Sequence, residues 1–400
     1  MHKKKLHVVQ LGDTTGFPIG MAAIEKIRLI GIALLSAGVE VKVICKKGSF
    51  EPSDPIDLGP KGVHQGIEFI YTTGSIYRPD GFVKRNWKKI AGWLNEIKLL
   101  RKYKKAGELD AAIVHSMQVF DLIMYRILSF FLGFKVLYPY VELNSSLPQR
   151  NNFSMRSNDF LLENFGLKLP NAILPISNHL IHFLEQKGIN KPLLKIPIIA
   201  EFSSFDLPRN PKAEKYFLYC GAAEYSEVIS FILDAFEKLE QKDFQLYLVI
   251  GGDEDNKEKV KARIAQSPVA EKIKYFSRIP YDELVQKYLD ARALLIPLRF
   301  TPQDEARFPH KIGEYLASGN PMISTNVGEV KHYFSDGENA IIAESFEVEA
   351  YKEKMQFVID HPEKAKAIGE NGKEFGKSNF DYPVFGQEIK ALIYSLQNGS

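Results

Sequence analysis

Apolar runs of strand length alternate with amphipathic stretches of helical spacing along most of the chain. Leu6 to Leu11 reads LHVVQL, Met21 to Ser36 then carries apolar residues at helical spacing up to a stop at Gly38, and VEVKVIC follows. Strands covered on both faces read as near-continuous apolar runs, so this order predicts a βαβ unit in a parallel sheet. Ala111 to His115 and Lys135 to Tyr140 continue the series. The loop Gly12 to Gly20, GDTTGFPIG, falls at the C-terminal end of the first strand. That edge is where open α/β sheets bind ligands.

Phe120 to Val141 is the most hydrophobic stretch, but Asp121, Arg126 and Lys135 interrupt it. A membrane-spanning helix needs about 20 nearly uncharged residues. The stretch therefore reads as a buried helix followed by a strand. Near residues 200 to 216, AEFSSFDLPRNPKAEKY is rich in Pro, Ser and charge and breaks the pattern, as an inter-domain linker would. A second alternating series follows: YFLYC, a helix over Glu227 to Gln241, FQLYLVIGG, a charged helix around Lys257 to Ala265, KIKYF, a helix over Tyr281 to Leu289, ALLIPL, a short helix, and PMIST. Two doubly wound α/β domains facing across a cleft are the economical reading.

Composition agrees: 400 residues with 45% apolar and 25% charged content suffice for two globular domains. A formal net charge of +3 gives no global reason for nucleic acid as a partner. Cys45 and Cys220 are the only cysteines, which excludes a disulfide framework and suits a reducing cytoplasm. The basic start MHKKK precedes an apolar run too short for a signal peptide, whose core is roughly 7 to 15 residues.

The richest segment for chemistry is Glu305 to Ile323, EARFPHKIGEYLASGNPMI. Arg307, His310 and Lys311 surround Pro309, which suits a first helical position, and the helix would end at Gly319. Cations at a helix start oppose the macrodipole unless an anion lies there, so the spacing points to a phosphate. Glu314 falls on the same helix face, either to accept ribose hydroxyls or to pair with Lys311. Gly12, Gly16 and Gly20 would let backbone approach a phosphate or would simply form a turn; their spacing matches neither a dinucleotide fingerprint nor a P-loop. GAAEYSE, beginning at Gly221, is a second loop of this kind. Asp253 and Asp255 could bridge a metal, but they precede a charged helix and read as its start. No metal cluster is evident.

Val83 to Lys105 is basic, with Glu96 its only acid and Trp87, Trp93 and Tyr103 interleaved. Its apolar residues recur at helical spacing beside Lys88 and Lys89. A basic amphipathic helix on an anionic membrane and a solvated helix packed on the first domain both fit.

The second half resembles the donor domain of family 4 glycosyltransferases of the GT-B fold, through RFPHKIGEYLASGNPMISTNVGEVKHYFSDGENAIIA, YLDARALLIPL and KIKYFSRIPYDEL, over roughly residues 216 to 380. The first half is similar more loosely, through FPIGMAAIEKIRLIGIALLSAGVEVKVI and NAILPISNHLIHFLEQKGI. The resemblance implies an acceptor domain over 1–204, a donor domain over 205–380, and a helix in 381–400 that crosses back to the first domain. It implies transfer of a hexose from a nucleotide diphosphate sugar to a glycan or lipid-linked glycan in surface polysaccharide biosynthesis. Retention of configuration is the family expectation, with no cofactor or metal, in the cytoplasm or on the inner face of the cell membrane.

Three departures matter. The first of the family's two glutamates stands as Ala306, with Glu305 one residue away and Glu314 matching the second. The Arg and Lys that hold the diphosphate correspond to Ala222 and Glu227, and the acceptor-side His corresponds to Val141, followed by Glu142. The expected donor set is then Gly16, Gly221, Glu305, Arg307, His310, Lys311 and Glu314. Glu142 and, second, His115 become the acid/base candidates. The same departures leave the alternative of a non-catalytic GT-B-like protein that binds a glycan or partners another transferase.

Overall fold

The computed structural model describes residues 5–20, 22–54, 56–240 and 243–398. Two compact units result: Met1–Ile199 with Tyr382–Ser400, and Ala200–Asp381.

The first unit runs β1 (His7–Gly12), α1 (Ala22–Ser36), β2 (Glu40–Cys45), β3 (Lys61–His64), β4 (Ile67–Tyr71), α2 (Phe82–Ala106), β5 (Ala111–His115), α3 (Val119–Leu132), β6 (Lys135–Tyr140), α4 (Phe153–Asn164), β7 (Ala172–Pro175) and α5 (Asn178–Gln186). The second runs β8 (Tyr216–Ala222), α6 (Ser226–Glu237), β9 (Gln245–Gly251), α7 (Glu254–Ala265), β10 (Ile273–Phe276), α8 (Tyr281–Asp290), β11 (Ala293–Ile296), α9 (Pro302–Ala306), α10 (Lys311–Ser318), β12 (Met322–Thr325), α11 (Val330–Tyr333), β13 (Ile341–Ala343), α12 (Val348–Asp360) and α13 (Pro362–Phe380). The last helix, α14 (Tyr382–Asn398), belongs to the first unit.

The second sheet has the order β10-β9-β8-β11-β12-β13, every pair parallel. The first has the order β3-β4-β2-β1-β5-β6-β7, parallel except for β3 against β4. Both are doubly wound, reversing direction between β1 and β5 and between β8 and β11, which are their ligand-binding switch points. Fully buried strand residues such as Val9, Leu11, Ile113, Leu218, Leu248 and Leu295 explain the unalternating apolar runs.

Several expectations are corrected. The segment near 200–216 is not a free linker: Phe202 and Phe205 are buried in the second unit, with Phe205 stacked on Tyr288 at 6.4 Å. Helix α3 is not a buried helix, since Phe120, Ile123, Ile127, Phe130 and Phe131 are exposed while Leu122 and Tyr125 face the core. Pro309 is not at a first helical position. The segment instead forms two helices, with Arg307 closing α9 and His310 capping α10. The expected helix ends at Met21 and Gln241 lie outside the described residues. The sequence pattern missed the β3–β4 hairpin.

Helix α14 packs on α1 so closely that a Cβ at Gly386 would lie 1.9 Å from the Ala33 carbonyl oxygen. Covered by the sheet on one side and α14 on the other, α1 buries ten of its residues, among them Lys26. An ammonium in such a place is costly unless it is paired and hydrogen-bonded.

Candidate functional site

In the second unit the parallel strands bring the loops after β8, β9, β11 and β12 to one edge. Near the end of β8, Gly221 is still paired with Ile250, and a Cβ there would fall 2.3 Å from the Tyr219 hydroxyl. Beyond β11, Leu298 is pinned by its N–H donating to Thr325 Oγ1 at 2.8 Å, which fixes the neighbouring Arg299. Thr301 caps α9 by accepting from the Asp304 N–H.

That turn points Asp304 inward, where it is fully buried. Its Oδ2 accepts from the Arg299 backbone N–H at 2.8 Å and from Arg299 Nε at 2.9 Å, while its Oδ1 pairs with Arg307 Nη2 at 2.7 Å. One carboxylate thus holds two guanidinium groups. Arg307 also donates through Nη1 to the Tyr225 hydroxyl at 2.6 Å, and its guanidinium lies 4.6 Å from the centre of that ring. Arg307 Nε is buried without a hydrogen-bond partner among the described residues, a donor available to a ligand oxygen. At the mouth, Arg299 Nη1 meets Glu227 at 3.0 Å, so Glu227 does not stand as a bare negative charge.

Lys311 opens α10 and pairs with Glu314 at 2.9 Å, three residues on. Burial opposes the Lys311 charge, but Cys220 and Glu314 beside it outweigh burial and hold the ammonium above the ordinary lysine range. The Tyr315 hydroxyl accepts from the Cys220 N–H at 3.0 Å, tying α10 to the end of β8. His310 caps α10 in a helical conformation and makes no side-chain cap bond. Glu305 points elsewhere, to Lys331 at 3.1 Å, so the inward carboxylate of α9 is Asp304. Asp253 caps α7 by accepting from the Asn256 N–H at 3.0 Å, the helix start that its spacing suggests. Among the described residues no cluster of three or more His, Cys, Asp or Glu could hold a metal ion.

Gly16 belongs to the first unit, at φ 100°, with a Cβ there reaching Ser49 at 3.8 Å. Nearby, Gln10 links β1 to α1 by donating through Nε2 to the Ile27 carbonyl at 2.8 Å. Its Oε1 therefore faces His115 Nε2 at 2.9 Å, which makes that ring nitrogen the donor. Burial, with Lys26 adding to it, lowers the His115 pKa to about 3, so the ring is neutral near pH 7. Lys26 Nζ has no hydrogen-bond partner among the described residues. Burial lowers its pKa to about 7 against the opposing pull of Glu142. His115, Lys26 and Glu142 thus interact electrostatically on the switch-point side of the first sheet.

Helix α2 packs inward through Gly92, Glu96 and Leu100. Val83 and Trp87 are 80% and 71% exposed, Lys88 and Lys89 are also exposed, and Trp93 is half-buried. No described helix is long and apolar enough to cross a membrane.

Two doubly wound sheets, parallel but for β3, the second bearing a cationic cluster at its switch point, define a GT-B glycosyltransferase fold. Residues 203–375, which lie within the second unit, match the family Glycosyl transferases group 1. An uncharacterized glycosyltransferase of Methanocaldococcus jannaschii is 28% identical over 160 residues, 40% of this chain and 42% of that protein. The capsular polysaccharide biosynthesis glycosyltransferase CapM of Staphylococcus aureus is 21% identical over 58% of this chain and 64% of that one. The chain thus aligns with less than two thirds of either curated relative. Among solved structures, sucrose-phosphate synthase from Thermosynechococcus elongatus superposes with TM-score 0.75 at 17% identity, covering 99% of this chain and 100% of that one. HepE from Anabaena, solved with UDP-glucose, gives TM-score 0.66 at 13% identity, covering 98% of this chain and 100% of that one.

Sequence reasoning missed Arg299, Asp304, Tyr225 and Lys26. Two signals were present: Thr301-Pro302 is a helix-start pair that would turn Asp304 into the first turn, and Lys26 interrupts an otherwise apolar helix.

Proposed function

We propose that the protein transfers a hexosyl group from a nucleotide diphosphate sugar held by the second unit to a hydroxyl of a glycan or lipid-linked glycan. The observation that carries this is the Arg299–Asp304–Arg307 arrangement with Lys311 and Glu314 at the sheet's switch point. In family terms it stands where Ala222 and Glu227 leave the diphosphate without its usual cations. Arg307 offers a buried, unpartnered N–H, and Lys311 a charge held above the ordinary range. Charge developing on the departing diphosphate is stabilised by such preset donors, which need no reorganisation during reaction. Glu314 remains accessible enough to accept ribose hydroxyls once Lys311 turns to phosphate.

On the acceptor side Glu142 is the better base. His115 is half-buried, neutral and already donates to Gln10. Glu142 interacts electrostatically with the buried Lys26, and a carboxylate is the kind of group that accepts a proton from a sugar hydroxyl. Retention of configuration is the outcome expected of this family. A role in surface polysaccharide synthesis is supported by the similarity to CapM. Peripheral binding to the inner face of an anionic membrane is supported by α2, with nine basic residues beside exposed Val83 and Trp87.

The test follows release of nucleoside diphosphate with a panel of nucleotide sugars, together with calorimetric nucleotide binding. Wild type should bind and turn over at least one donor, and Glu314→Ala and Arg307→Met should weaken binding at least tenfold. A second reading, a non-catalytic glycan-binding protein, is favoured by one observation: Arg299, Arg307 and Lys311 each already face a carboxylate. Glycan binding without nucleotide binding would establish it and sink the transferase.

A further inference from the structure

A cavity of about 290 Å³ opens in the first unit, lined by Lys47, Arg78, Arg85, Lys88 and Lys89. Thr15, Ser49 and Thr73 add three hydroxyls, and no acid lines it. These residues follow β1, β2 and β4 or sit in the first turns of α2, so the cavity lies at the C-terminal edge of the parallel sheet.

Its cations are poorly matched within the protein. Lys47 lies 3.9 Å from Asp13 and Arg78 3.8 Å from Glu51, both beyond hydrogen-bond length. Among the described residues the Arg85 side chain bonds only through Nε, to the Pro79 carbonyl at 3.4 Å, and Lys88 and Lys89 make neither an ion pair nor a side-chain hydrogen bond. The N-terminus of α2 adds to the field: Gly81 caps it without a side chain, and its first turn holds no acid.

The walls are set in advance. Ser49 donates its N–H to Ile76 O at 2.9 Å and Arg78 to Phe50 O at 2.7 Å, while a Cβ on Gly48 would lie 2.2 Å from Tyr77 O. Only glycine lets these two segments meet so closely. Five like charges gathered on a preset wall repel one another, and an anion relieves that repulsion. Ligand cavities begin at roughly 300 Å³, so this one suits a compact phosphorylated group.

We infer that this cavity is a subsite for a phosphate or diphosphate group carried by the acceptor. The acceptor assignment rests on the transferase reading; anion binding does not. The phosphate is borne either by a soluble sugar or by a lipid, whose chains would meet exposed Phe82, Val83 and Trp87 next to the cavity.

The test uses the full chain and the double variant Lys47→Gln/Arg78→Gln, whose residues lie off α2, so a general loss of helix charge is not what is read. Glucose 6-phosphate is titrated calorimetrically against glucose, and flotation is measured with phosphatidylcholine vesicles with and without phosphatidic acid. Loss of each charged contact should weaken binding on the order of tenfold. Glucose 6-phosphate binding that the variant loses establishes a soluble phosphorylated acceptor. Flotation that requires phosphatidic acid and is lost in the variant establishes a lipid-borne phosphate. Wild type and variant behaving alike with both probes overturns the subsite. Uridine diphosphate, titrated into the same two proteins, reports the donor reading separately, since failure there leaves the cavity result standing.

Discussion

Replacing Lys26 with methionine should stabilise the first unit at neutral pH. The side chain is 5% exposed and its Nζ has no hydrogen-bond partner among the described residues. Burial takes its pKa from 10.5 to about 7. At about 1.4 kcal/mol per pH unit, that fall corresponds to roughly 5 kcal/mol of destabilisation while the lysine is charged in both folded and unfolded states. The sign follows from proton binding. Below the folded value of about 7 the full cost is present; between 7 and 10.5 the unfolded chain holds a proton that the folded protein has released, so stability rises with pH. Above 10.5 both states are neutral and the cost is gone. Methionine fills similar volume without a charge. Its gain is reduced by leaving Glu142 without its counter-charge, so about 2 to 5 kcal/mol is expected at pH 7, shrinking towards zero near pH 10. Trp87 and Trp93 are the only tryptophans and both lie on α2, so denaturant unfolding followed by tryptophan fluorescence reads the first unit. A variant less stable than wild type at pH 7, or a stability difference that does not change between pH 7 and 10, would refute the argument.

Four further outcomes follow from other groups. Asp304→Asn leaves Arg299 and Arg307 facing each other without their shared carboxylate; a loss of about 3 to 5 kcal/mol is expected in calorimetric unfolding, with weaker nucleotide binding. Glu227→Gln frees Arg299 for phosphate, so nucleoside diphosphate affinity should rise severalfold at low salt, and an unchanged or lower affinity would contradict the pairing. Burial raises the Glu96 pKa to about 7, so its contribution to stability is complete below the unfolded value of 4.5 and is lost as pH rises through 7; Glu96→Gln should flatten that slope in tryptophan-monitored unfolding. Glu142→Gln should lower kcat by about 10²- to 10⁴-fold with little change in nucleotide affinity, while equal turnover would remove Glu142 as the base.

Much of the fold was legible because parallel strands buried on both faces must be apolar throughout, and the helices between them must be amphipathic. Leu6 to Leu11 and YFLYC could be read that way before any contact was known. Lys311 and Glu314 were legible too, three residues apart on one helix. The segment's helix boundaries were not. Thr301 caps a separate short helix, which moves Arg307 from an expected helix start to a helix end, where a cation is favoured by the dipole.

By itself the sequence determined the two parallel α/β series, the helical start at Asp253 and the basic amphipathic character of α2, since each depends on residues a few positions apart. Only the tertiary structure decided that Asp304 rather than Glu305 faces inward, that Arg299 neutralises Glu227, and that Lys26 is buried near His115 and Glu142. It also decided that Lys47, Arg78 and Lys88 share one cavity. Those outcomes depend on strands and loops far apart in sequence, brought to one sheet edge by pairing and packing, and charge interacts through that spatial distance rather than along the chain.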